Sequence, residues 1–173
     1  MKIYVVRHTA VGVNGLCYGQ TDVPLKETFE QEAEIVKQNL KDRPHDAVYS
    51  SPLSRARKLA EYCGYKNIQL YDRLKELHFG DWEMQPWDEI NMTEWEKDWV
   101  NNPAPNGESF KQMYDRVSSF IEEIKKTGHS SVIVFAHGGV INCFRVYFGQ
   151  TDLKSSFDQL AEYGEIFEFV TED

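Results

Sequence analysis

Two kinds of hydrophobic pattern alternate along this chain. Short β-branched runs bounded by polar residues occur at 2–6, 47–49, 131–136 and 166–170, with a weaker one at 68–71, and each reads as a buried strand. Between them, apolar residues step by three and four, which puts them on one stripe of a helix. Phe29, Ala33, Val36 and Leu40 mark such a stripe within 26–41, and the polar, proline-containing stretch 43–46 breaks it. Ala56, Leu59, Ala60 and Cys63 mark the next, with Ser50, Ser51 and Pro52 placed to cap and start it and Gly64 to close it. The strongest stripe is Phe110, Met113, Tyr114, Val117, Phe120, Ile121 and Ile124, stopped by Gly128, and a compact helix is predicted over 140–148, before Gly149. The stretch 87–99 holds three of the four tryptophans without clean periodicity, and 101–107 is a turn-rich break.

Strands alternating with helices predict an α/β fold: a single three-layer domain over 1–173, with a mostly parallel central sheet and helices on both faces. The one excursion, 80–107, is expected to be a helical, aromatic-rich cover over the functional site. A length of 173 residues fits one domain, and 41% hydrophobic with 27% charged residues is a globular balance. The net charge of −9 argues against a general nucleic-acid or anionic-membrane surface, although a local cluster of cations still suits a small anion. Cys17, Cys63 and Cys143 are widely spaced and form no CxxC, so they read as reduced thiols and not as a disulfide framework or zinc site. His45, His78 and His129 also lie at no metal-ligand spacing, and no metal or other cofactor is expected. The first apolar run ends at Arg7, too soon for a signal peptide or a membrane span, so a soluble cytoplasmic protein is expected.

In open α/β sheets, ligands bind at the carboxyl ends of the strands. Arg7 and His8 follow the first strand. Ser50, Ser51 and Pro52 follow the second and lead to Arg55, Glu76 follows the strand at 68–71, and His137, Gly138 and Gly139 follow the strand at 131–136. That rim suits phosphoryl transfer, which is mostly charge stabilisation and positioning. Arginine offers a planar fork for phosphate oxygens, and the glycine turn at a helix start offers backbone N–H groups. A neutral imidazole can attack phosphorus, and a carboxylic acid can protonate the departing alkoxide. Each residue also has a structural reading: a histidine at a strand end, a solvated arginine, a glycine needed for backbone shape. Arg57 is the internal control, since it lies about 200° around the helix from Arg55 and should face elsewhere.

Val6-Arg7-His8-Thr9, Ser51-Pro52-Leu53-Ser54-Arg55-Ala56, Leu74-Lys75-Glu76 and Ala136-His137-Gly138-Gly139 resemble, in order, the motifs of the histidine phosphatase superfamily, also called phosphoglycerate-mutase-like. The resemblance implies His8 as nucleophile, Arg7 and Arg55 as phosphate-pocket arginines, His137 as the second pocket histidine and Glu76 as proton donor. It also places Asn14 at a phosphate-pocket position. Thr9 stands where the family usually has glycine, and its hydroxyl could contact phosphate or bond the backbone.

A finer resemblance lies in Cys17-Tyr18-Gly19-Gln20-Thr21-Asp22, Phe79-Gly80-Asp81-Trp82-Glu83 and Asn106-Gly107-Glu108-Ser109-Phe110, which look like the α-ribazole phosphatase branch. Members of that branch remove the 5′-phosphate from α-ribazole phosphate or its cobamide-linked form. Thr21, Glu83 and Glu108 in these motifs, and Gly138 in the glycine turn, are also expected to bind phosphate or substrate, and Glu83, in the same post-strand stretch as Glu76, competes for the proton-donor role. A tryptophan or Tyr18 could stack on a flat base. The alternatives are a mutase or phosphatase acting on another sugar phosphate, and a non-catalytic phospho-ligand binding module.

Overall fold

The computed structural model describes residues 1–172. Five strands, β1 (Lys2–Arg7), β2 (Ala47–Ser50), β3 (Ile68–Leu70), β4 (Ser131–Ala136) and β5 (Ile166–Val170), form one sheet in the order β3-β2-β4-β1-β5. The first four run parallel, and β5 runs antiparallel to β1 at the edge.

Side chains alternate across a strand, and the two faces fill two separate cores. Ile3, Val5, Val132 and Val134 face the helices α4 (Phe110–Ile124) and α5 (Gly138–Tyr147). Tyr4, Val6, Val48 and Ile133 face α1 (Phe29–Leu40) and α2 (Ser54–Tyr62). This is the three-layer arrangement expected from the strand-helix alternation. Ser109 caps α4 in a full capping box with Gln112, so Glu108 stands just outside the helix.

Several boundaries differ from those the sequence suggests. Ser50, Ser51 and Pro52 do not cap α2: its N-cap is Leu53, without a side-chain cap bond, because the Ser51 hydroxyl is engaged with the Leu53 N–H and His137. The last helix starts at Gly138 instead of residue 140, since both glycines have helical backbone. The excursion is only partly helical. It has one 3₁₀ turn at Gly80–Trp82, another at Trp87–Glu89 and a single α-turn, α3 (Thr93–Glu96), and Trp82 and Trp95 join a small cluster with Cys17, Ile90 and Ala104. Among the described residues no helix is long and apolar enough to cross a membrane.

After α5 the chain climbs back to the carboxyl rim of the sheet before β5 descends. There the Gly164 N–H donates to the Arg7 and His8 carbonyls, and the segment before β5 lies against the end of β1.

Candidate active site

β1 and β4 lie side by side, with Arg7 opposite Ala136, so the residues that follow them emerge together at the centre of the rim. There His8 and His137 meet edge to face, ring centroids 5.2 Å apart. Arg7, His8, Arg55 and Glu76 line one cavity of about 230 Å³, with Tyr18 and Gly139. Four of the five groups expected on the rim therefore share it directly, and His137, fully buried, packs against the His8 ring.

His8 Nδ1 lies 2.7 Å from the Thr9 carbonyl. A carbonyl only accepts, so the proton sits on Nδ1 and Nε2 keeps its lone pair. Burial, then the charge of Arg55, and to a smaller extent that of Arg7, pull the His8 pKa down from 6.5 to about 3, against the opposing Thr9 hydrogen bond. The ring is thus neutral at physiological pH and held in one tautomer.

His137 Nε2 is 2.9 Å from Ser51 Oγ. That hydroxyl also accepts from the Leu53 N–H, so it fixes the His137 ring through Nε2. Burial, followed by the charge of Arg55, holds His137 neutral, well below its usual pKa.

Arg55 is fully buried and fixed from outside the cavity. Its Nη1 donates to the Thr21 carbonyl at 2.9 Å, its Nη2 donates to the Gly19 carbonyl, and Tyr18 lies against the guanidinium face. Arg7 is anchored by the returning C-terminal segment, through Nη1 to the Ala161 carbonyl and through the Tyr163 ring 4.3 Å away. Arg7 Nε, Arg55 Nε, His137 Nδ1 and Thr9 Oγ1 are buried without a hydrogen-bond partner among the described residues. Buried polar atoms left unpaired are costly, and three of these belong to groups set around His8, where an anion would offer acceptors to the guanidinium donors.

The Glu76 carboxyl is aimed by two backbone groups. Oε1 accepts from the Leu77 N–H and Oε2 from the Gly139 N–H, each at 3.0 Å. The expectation that both glycine N–H groups are open to phosphate therefore needs correcting: that of Gly139 is taken by Glu76. Gly138 does not line the cavity; it is packed beneath the Arg7 guanidinium, where a Cβ would come within 3.4 Å.

Other expected positions also lie outside. Asn14 is exposed in the loop before Gly15 and does not line the cavity. Glu83 accepts from the N–H groups of Gly19 and Gln20 and from Thr21 Oγ1, so Glu83 and Thr21 hold together the loop whose carbonyls anchor Arg55. Glu108 pairs with Arg116 and accepts the His78 N–H. Glu83 thus serves backbone N–H groups and a hydroxyl, Glu108 serves a backbone N–H and a guanidinium, and neither lines the cavity. Arg57 points away and pairs with Glu61, as its helical phase requires.

A second cavity, about 360 Å³, opens beside the first and shares Leu77, Phe79, Trp87 and Phe157 with it. Its other walls are Met92, Trp95, Trp99 and Phe110. All eight are apolar or aromatic. The sequence showed the tryptophans but not their convergence, because the excursion has no period from which to read a common face.

An imidazole with one bare nitrogen, sharing a cavity with two guanidinium groups and a carboxyl, gives an α/β protein the chemistry of phosphoryl transfer through histidine. Residues 3–170 match the family model of the histidine phosphatase superfamily (branch 1), and the chain belongs to that superfamily as an enzyme of the phosphatase type. It is 31% identical over 154 residues to the adenosylcobalamin/alpha-ribazole phosphatase of Salmonella typhimurium, covering 82% of this chain and 76% of that one. Among solved structures it resembles the alpha-ribazole phosphatase of Shigella flexneri (TM-score 0.86, 25% identity, 97% of this chain and 89% of that one). The phosphoglycerate mutase of Thermus thermophilus is also similar (TM-score 0.78, 31% identity, 97% and 92%), so the fold is phosphoglycerate-mutase-like.

Proposed function

We propose that the protein is a phosphomonoesterase working through a phosphohistidine at His8, and that it releases the 5′-phosphate of α-ribazole phosphate or its cobamide-linked form. One observation carries the chemistry: His8 is neutral, protonated on Nδ1, and its other nitrogen shares a cavity with Arg7, Arg55 and Glu76. Nε2 attacks phosphorus and the bond to the alcohol oxygen breaks. Glu76 gives that oxygen its proton, and the guanidinium groups and His137 stabilise the transferring oxygens. Water then attacks the phosphohistidine with Glu76 as base, which returns His8 and releases phosphate.

The substrate reading rests on the second cavity and on the relatives of that activity. A pocket walled only by apolar and aromatic side chains suits a flat, uncharged base, since a charged group there would be desolvated without a partner. The small charged alcohol of 3-phosphoglycerate or phosphoserine would leave it unfilled.

The test combines the two parts. His8→Ala is expected to abolish turnover and the acid-labile phosphate adduct that wild-type protein shows after brief exposure to substrate; an adduct retained in the variant would overturn the nucleophile assignment. On a panel of α-ribazole phosphate, phosphoserine and 3-phosphoglycerate, kcat/KM is expected to favour the first by about a hundredfold, the scale that filling an apolar pocket supplies. Equal values would leave the phosphatase and remove this substrate.

A further inference from the structure

We propose that Arg116, held by Glu108, is the positioning residue that aims the Glu76 carboxyl at the departing oxygen. The inference rests on the reading of Glu76 as the acid and adds a residue that does not line the cavity.

A guanidinium group has five N–H bonds in one plane, and Arg116 has an acceptor for every one. Nε donates to Glu108 Oε2 at 3.1 Å, and Nη2 donates to Glu108 Oε1 at 2.5 Å, a bidentate ion pair. Nη1 donates to the carbonyls of Arg73 and Lys75 at 2.8 and 2.7 Å, and Nη2 also donates to the Glu76 carbonyl at 3.0 Å. One side chain on α4 thus gathers three carbonyls of the turn that carries Glu76. Glu108 completes the grip from the other side by accepting the His78 N–H at 3.0 Å.

The link to the carboxyl is a single peptide unit. The Glu76 carbonyl and the Leu77 N–H belong to the same planar group, so fixing one end fixes the direction of the other. Arg116 holds the carbonyl end, and the N–H end donates to Glu76 Oε1. Rotation of that plane would swing the Leu77 N–H off Oε1 and leave the carboxyl tethered only through Oε2 to Gly139. The ion pair is largely buried, with about a fifth of each side chain exposed, so water does not substitute readily for its bonds. Lysine offers three N–H bonds in a tetrahedral array and cannot reproduce the pattern.

Benzyl phosphate and p-nitrophenyl phosphate separate this role from general support. Both present a ring to the apolar cavity, but benzyl alkoxide needs a proton to leave and nitrophenolate does not. Arg116→Lys and Glu108→Gln are each compared with wild type and with Glu76→Gln by kcat/KM, which reports the step that expels the alcohol. The expected result is a loss of about tenfold or more on benzyl phosphate, part of the full contribution of an acid, with less than about threefold loss on p-nitrophenyl phosphate. Glu76→Gln is expected to show the same selectivity more strongly. Proportionate losses on both substrates, or no loss on either, overturn the positioning role even where Glu76→Gln is selective. If Glu76→Gln shows no selectivity, the acid assignment falls and this proposal with it. Glu108→Gln keeps Arg116 and the size of its partner, so the comparison survives if Arg116→Lys does not fold.

Discussion

At the scale of single residues, two arginines two positions apart have different fates. Arg55 is buried and tied to the Gly19 and Thr21 carbonyls, whereas Arg57 is paired with Glu61 at the surface. Arg55→Ala is expected to lower kcat/KM by on the order of a hundredfold, the scale for losing one preorganised donor to transition-state charge. Arg57→Ala should change it by less than about twofold, because an exposed i,i+4 pair contributes little. Steady-state kinetics on one substrate checks both, and equal losses would contradict the geometry. Arg7, His8, Arg55, Glu76 and His137 were legible in the chain because each follows a strand end whose direction the sheet fixes. Arg116 was not legible. Besides Glu108, its partners are three backbone carbonyls some 40 residues away, and no side-chain spacing encodes a bond to a carbonyl. Glu83 and Glu108 were noticed but misplaced for the same reason: their acceptor roles are toward backbone N–H groups of distant loops.

At the scale of elements, the start of α5 is where packing and chemistry meet. A Cβ on Gly139 would lie 2.2 Å from Glu76 Oε1, so this glycine allows the carboxyl to reach the helix N–H at all. Gly139→Ala should displace the flexible end of Glu76 and leave the helix intact. The expected result is an unchanged far-ultraviolet circular dichroism spectrum with about tenfold or greater loss of kcat/KM on an alkyl phosphate; retained activity would show that the carboxyl tolerates the shift. The strands and the four longer helices were readable from period and length. The cover was not, since Trp82, Trp87, Trp95 and Trp99 pack through loops and single turns, where the three-dimensional path and not the spacing decides which rings meet.

At the scale of the whole molecule, the neutral histidines couple the site to stability. The His8 pKa falls from 6.5 to about 3 on folding, so between those values the unfolded chain takes up a proton that the folded protein refuses. Stability from this group is full above pH 6.5 and is lost as pH falls toward 3, and His137 is shifted in the same direction. The melting temperature is expected to drop between pH 7 and pH 4 and to drop less steeply in His8→Gln; parallel curves for the two proteins would contradict the burial argument. The order of strands has a further consequence. β1 is flanked by β4 and β5, whose sequences begin only at Ser131 and Ile166. During synthesis this apolar strand is made well before either neighbour and stays unpaired on both sides until the chain has been extended to Ser131 and beyond. Assembly of the sheet around β1 therefore waits for those distant segments, the nascent chain has to keep β1 from other partners until they are made, and loss of β5 would uncover β1 along one whole edge.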